Sequence, residues 1–161
     1  MEFVVYTDGS YFESRKEVCG GYVIVQDGKA VAAERFKSNN NLFTQSWNVS
    51  GELAAVVLMT KKLLPAIGKN RDCTVIINYD YKGIANYLNK GDQAWQAKKQ
   101  ISYWYVESMK ELMKEYPNCN LKFNKVKAHS GVYWNEVVDT IAKGNPLPKD
   151  IINFEIKTIT L

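Results

Sequence analysis

Hydrophobic and polar positions alternate from Glu2 to Thr7, a run rich in Phe, Val and Tyr that predicts a strand stopping at Asp8-Gly9-Ser10. Gly20 to Gln26 and Val31 to Lys37 predict two more strands, with Asp27-Gly28 as the hairpin turn between them. Ser38 to Thr44 is polar and rich in Asn, as a loop would be. A helix is expected to begin near Ser46, a suitable N-cap, and to end at about Leu64, just before Pro65. Thr74 to Asn78 is a short apolar, β-branched run typical of a buried strand. A short helix over about Lys82 to Leu88 follows. A longer one from about Trp95 to Tyr116 carries Ile101, Tyr105, Met109, Leu112 and Tyr116 on one stripe. Asn120 to Val126 alternates as a last core strand, and Gly131 to Lys143 reads as the closing helix. After Gly144, Pro146 and Pro148 interrupt the chain before an alternating segment, Ile152 to Ile159, that either adds an edge strand or lies over the body. Three strands, helix, strand, helices, strand, helix predicts an α/β fold, a mixed sheet with helices packed on its faces.

Composition narrows the class. A chain of 161 residues with 46% hydrophobic and 24% charged residues suits one domain with an ordinary core and argues against disorder. Repeats, low-complexity tracts and inter-domain linkers are absent from the sequence. No apolar run approaches the roughly 20 residues of a membrane helix, and the start has none of the features of a secretory signal. Cys19, Cys73 and Cys119 are scattered, which predicts reduced thiols and a cytoplasmic location. The net charge of +4 is compatible with a polyanionic partner without demanding one.

Four acids stand where acids are awkward. Asp8 ends the first strand beside Gly9, and Asp80 ends the other apolar central strand. If those strands are neighbours, both carboxylates emerge at one sheet edge, where open α/β sheets bind ligands. Glu52 shares its stripe with Val56, Met59 and Leu63, so it points along the face that packs on the sheet. Asp139 lies beside the stripe of Trp134, Val138 and Ile141. Asn48 and Asn135 precede Glu52 and Asp139 by one helical turn on the same faces. Taken singly, Asp8 reads as a turn residue, Glu52 as a first-turn acid, Asp80 as an N-cap and Asp139 as a solvated side chain. Together they read as an all-oxygen site for Mg²⁺ or Mn²⁺, and two such ions about 4 Å apart suit phosphodiester hydrolysis. His129 is the single histidine, in a loop before the last helix, where it serves either as a proton shuttle or as an ordinary surface residue.

These residues fall into blocks. Tyr6-Thr7-Asp8-Gly9-Ser10, Cys19-Gly20-Gly21-Tyr22, Asn48-Val49-Ser50-Gly51-Glu52-Leu53, Asn78-Tyr79-Asp80-Tyr81-Lys82-Gly83-Ile84, and His129-Ser130-Gly131 with Asn135, Asp139 and Ala142-Lys143 come in the order of the type 1 ribonuclease H family, which the chain resembles over about residues 3 to 143. The resemblance implies a ribonuclease H-like fold: a five-stranded mixed sheet, its first three strands antiparallel, with helices on both faces. It also implies Mg²⁺-dependent cleavage of the RNA strand of an RNA–DNA hybrid, leaving 5′-phosphate and 3′-hydroxyl ends. Carried over by position, Asp8, Glu52, Asp80 and Asp139 are metal ligands and His129 aids proton transfer or product release. Gly9 and Ser10 approach the RNA, where the 2′-hydroxyl is read, and Asn48 and Asn135 touch the hybrid.

Lys90, Trp95, Lys98, Lys99, Tyr103 and Trp104 interleave bases with aromatics where relatives carry a substrate handle. Lys98 and Lys99 are then phosphate contacts and Tyr87 or Trp95 packs on a deoxyribose; a solvated helical face is the competing reading. Lys125 and Lys127 either face the scissile strand or solvent. Trp47 and the pair Tyr81-Lys82 depart from the family pattern, so substrate contacts there are expected to differ. Residues 1–145 are the expected catalytic domain and 146–161 a C-terminal tail. The block begins almost at Met1, so a free-standing monomer without an N-terminal hybrid-binding module is expected. The competing functions are a same-fold nuclease for duplex RNA or DNA junctions and a non-catalytic nucleic-acid-binding module. The Asp-Gly-Ser and Gly-Gly-Tyr blocks argue against the first, the complete acid set against the second.

Overall fold

In the computed structural model, which describes residues 1–90, 100–127 and 131–161, strands β1 (Glu2–Phe12), β2 (Glu17–Gln26) and β3 (Lys29–Ser38) form an antiparallel meander. The β2–β3 hairpin turns at Asp27 and Gly28, with φ of 52° and 77°. Two successive left-handed residues match the right-handed twist of a hairpin. β4 (Cys73–Tyr79) lies parallel to β1, and β5 (Cys119–Lys125) parallel to β4. A sixth strand, β6 (Lys157–Thr160), pairs parallel with β3, so the sheet order is β5-β4-β1-β2-β3-β6 rather than the expected five strands. The fold class is otherwise as the sequence implied.

Helices cover both faces. On one lie α2 (Trp47–Ile67) and α4 (Gln100–Glu115), with the short α1 (Asn41–Thr44) and α3 (Gly83–Lys90) beside them. The stripe Glu52, Val56, Met59 and Leu63 is buried, as is Ile101, Tyr105, Met109, Leu112 and Tyr116. On the other face α5 (Tyr133–Lys143) sets Val137, Val138 and Ile141 against Val23, Val25 and Ala33. The tail completes this second core: Ile152 is buried in it, and Leu147, Ile151, Phe154 and Ile156 pack around it.

Several details differ from the sequence expectation. β1 runs on through Asp8-Gly9-Ser10 because β2 supplies antiparallel partners as far as Phe12↔Glu17, although the parallel pairing with β4 ends at Tyr6↔Asn78. α2 continues past Pro65 to Ile67, since Leu64 and Ile67 are buried while Pro65 is exposed, and Gly68 closes the helix with its N–H on the Leu64 carbonyl at 2.9 Å. Apolar burial thus outweighs the one helical hydrogen bond that proline removes. The loop 38–44 contains a helical turn, capped where Asn40 Oδ1 accepts from Leu42 N at 3.0 Å and anchored by buried Phe43. Ser46 precedes α2, but its side chain makes no capping hydrogen bond.

Candidate active site

Strand alternation sorts β1 into two faces. Phe3 and Val5 enter the α2 core, and Val4 and Tyr6 face the α5 side, so Asp8 continues toward α5 and Gly9 toward α2. A Cβ on Gly9 would collide with the backbone of Gly51 and Glu52, and one on Gly51 would collide with the Cys19 carbonyl. Two glycines therefore let helix and strand cross backbone to backbone, and that crossing carries Glu52 to Asp8. The Cβ side of Gly9 is thus filled by α2, while Gly9 itself also lines the acidic cleft. Asp80 follows the last residue of β4, beyond the point where β1 and β4 cease to pair. Asn78 below it donates from Nδ2 to the Val5 carbonyl at 3.2 Å and accepts from Asn124 Nδ2 at 2.7 Å, which ties β4 to both neighbours.

Carboxylate oxygens of Asp8, Glu52 and Asp80 lie within 4.8 Å of one another. Asp139 of α5 lines the same cleft, its Oδ2 paired with Lys143 Nζ at 3.1 Å. Burial lifts the Asp8 carboxyl to about 7; a hydrogen bond with Glu52 works against that rise, and the Asp80 and Asp139 charges add to it. Glu52 is raised well above the carboxylate range, first by burial and then by the charges of Asp8 and Asp80. Its Oε2 is buried without a hydrogen-bond partner. An orphaned carboxylate oxygen beside two more acids is the arrangement a hard divalent cation relieves, and the donor set is all oxygen. The residues present fit such an ion.

The cleft has a volume of about 820 Å³ and is walled by Ser10, Trp47, Asn48, Tyr81 and Asn135 besides the acids. It accompanies a six-stranded mixed sheet with these acids at its centre, and the RNase H family model matches residues 1–145. The chain belongs to the RNase H family. A ribonuclease H of Caldicellulosiruptor saccharolyticus is 28% identical over 153 residues, spanning 88% of this chain and 94% of that protein. RNase H1 from the halophilic archaeon Halobacterium salinarum superposes with a TM-score of 0.67 at 16% identity, over 89% of this chain and 96% of the other. LC11-RNase H1, solved in complex with an RNA/DNA hybrid, has a TM-score of 0.63 at 16% identity, over 88% and 97%.

Other sequence-predicted residues of this RNase H family member divide into those brought to the cleft and those elsewhere. Gly9, Ser10, Asn48 and Asn135 line it, Asn48 exposed and Asn135 buried. Tyr87 is half-buried, its hydroxyl 3.0 Å from that of Tyr81, and only Tyr81 of the two reaches the cleft wall. Trp104 meets Phe43 edge-on at 5.4 Å, a core contact rather than a substrate handle. Lys125 and Lys127 are exposed. His129, Trp95, Lys98 and Lys99 lie outside the described residues, as does the side chain of Lys90.

Two features of the site escaped sequence reasoning. The Lys143–Asp139 pair was signalled only by an i,i+4 spacing that surface helices share. The backbone of Trp47, at φ 51°, is in the left-handed region, which costs a bulky residue roughly 1–2 kcal/mol. No described helix is long and apolar enough to cross a membrane.

Proposed function

We propose that the protein is an endoribonuclease that hydrolyses the RNA strand of RNA–DNA hybrids, with two Mg²⁺ ions (Mn²⁺ substituting) and 5′-phosphate and 3′-hydroxyl products. One observation carries the reading: three acids from β1, α2 and the end of β4 converge within 4.8 Å, with Glu52 Oε2 buried and unpartnered, in a chain of the RNase H family. The hybrid bound by LC11-RNase H1 supports the substrate class.

Asp8, Glu52, Asp80 and Asp139 would hold the cations. Bound there, divalent ions supply a water activated for attack and charge stabilisation of the leaving oxygen. The chain itself does the rest. Its acids stay charged once cations offset their repulsion, and the Gly9–Gly51 crossing fixes the distance between Asp8 and Glu52. Asn48, Asn135 and Ser10, at the cleft wall, donate and accept hydrogen bonds to sugar and base edges of the bound strand. Trp95, Lys98, Lys99 and Tyr87 extend the substrate contact, and His129 assists proton transfer. Residues 1–145 form the catalytic unit and 146–161 its tail, and the enzyme acts as a cytoplasmic monomer.

The test is cleavage of an end-labelled hybrid beside single-stranded RNA, duplex RNA and duplex DNA, with Mg²⁺ or EDTA. Only the RNA strand of the hybrid should be cut, and only with metal. Asp8→Asn and Asp80→Asn should lower the rate at least 100-fold, on the order of 3 kcal/mol of barrier, with the fold unchanged by circular dichroism. Wild-type cutting by either variant would sink the assignment. Firm binding of the hybrid without cutting would replace it with a binding module.

A further inference from the structure

Trp47 is the most exposed large hydrophobic residue among those described, with 60% of its surface in water. Neither folding role open to it is filled. Its ring is not in the core, and it opens α2 in a left-handed conformation that glycine or asparagine adopts more readily. Strained, exposed aromatics of this kind concentrate where a ligand makes up the loss.

Its position names the ligand. Trp47 shares with Tyr11 and Glu13 the wall between two depressions, lining the acidic cleft with Asp8, Glu52 and Asp80 and also a neighbouring groove of about 500 Å³. That groove presents two bases, Lys16 and Arg15 (the latter paired with Glu17 at 3.4 Å), against one acid, Glu13, with Asn39 and Asn41 beside them. A ligand crossing from one to the other passes over the indole. An anionic group meets the excess of bases in the groove, and an apolar surface suits the crossing over Trp47. In a nucleic-acid duplex the base faces are stacked away, so the apolar surface between successive phosphates is the sugar. Resting on the ribonuclease H reading above, we propose that Trp47 is a substrate-binding residue whose indole face packs against a sugar of the hybrid between the acidic cleft and this groove. Trp47 touches no reacting atom in this arrangement; it sets affinity and the angle at which the duplex lies.

The experiment measures kcat, KM and thermal stability for wild type, Trp47→Gly and Trp47→Phe on the hybrid with Mg²⁺. Trp47→Gly removes the ring and relieves the positive φ together, so binding and folding effects take opposite signs. KM should rise about tenfold, a common size for loss of one aromatic stack, with kcat within about twofold and the melting temperature unchanged or higher. Trp47→Phe keeps a ring face and should recover most of the affinity. Wild-type KM in Trp47→Gly overturns the inference. So does a fall in kcat at constant KM, which makes Trp47 a support for Glu52. A Trp47→Phe as weak as Trp47→Gly overturns packing on a sugar in favour of a bond from the indole N–H. If the wild type does not cut the hybrid, the ribonuclease H reading itself fails, a result that no Trp47 variant mimics.

Discussion

Asp8 and Glu52 are the residues on which the fold and the site make opposite demands. Both carboxyls are raised, chiefly by burial, Asp8 to about 7. An acid whose pKa rises on folding, from about 4 in the unfolded chain, binds its proton more tightly when folded. Its contribution is fully present below pH 4 and is lost as pH climbs through 7. Metal-free protein should therefore be more stable at pH 5 than at pH 8, and thermal melts in EDTA across that range check it. Asp8→Asn, which needs no ion, should melt higher than wild type at pH 8 in EDTA and lose that advantage when Mg²⁺ is added. A flat profile in EDTA would mean that the acids are better solvated than their burial indicates.

At the scale of elements, the decisive contact is the crossing of β1 and α2. Gly9 and Gly51 have no side chains to hold the two backbones apart, and Glu52 reaches Asp8 because of it. Gly51→Ala places a methyl group on the Cys19 carbonyl and within 3.0 Å of Gly9 Cα. Backbone on both sides leaves nothing flexible to yield, so the variant should lose about 1–3 kcal/mol of stability in urea. Cleavage should fall further than that loss explains, since Glu52 moves with the helix. A fully stable Gly51→Ala would show that the helix has room to shift. Parallel pairing of β4 and β5 likewise joins what looked scattered: Cys73 and Cys119 are register partners with sulfurs 2.8 Å apart, and both are free thiols.

For the whole molecule, the tail decides how well the second face is closed. Val23, Val25 and Ala33 share one buried cluster with the α5 residues and with Ile152 of the tail, around which the other tail residues pack, while β6 borders β3. Ile152→Ala should cost about 2–4 kcal/mol by chemical denaturation. Hybrid cleavage measured well below the melting temperature should be nearly unchanged, because Ile152 does not line the cleft. Wild-type stability in Ile152→Ala would mean that the tail merely rests on the core.

Much of this was legible in the sequence because it depends on short-range periodicity. The alternation of β1, the stripe from Glu52 to Leu63 and the left-handed Asp27-Gly28 turn are set by residues a few positions apart, and each appears in the structure. The four acids could be picked out only as a set, Glu52 on an apolar stripe, Asp8 and Asp80 at strand ends and Asp139 beside a stripe, within blocks in the family's order. Other features needed the third dimension. That Gly9 receives a helix against its bare Cα depends on α2, some forty residues away. Whether the chain turns at Asp8 depends on β2 supplying partners, and whether α2 survives Pro65 depends on the core that holds Ile67. The sequence by itself determined which residues carry charge and which faces are apolar, since those are properties of side chains and their spacing. Only the tertiary structure decided how closely the acids approach and that Trp47 stands exposed between two grooves, because those are distances between elements that no local pattern encodes.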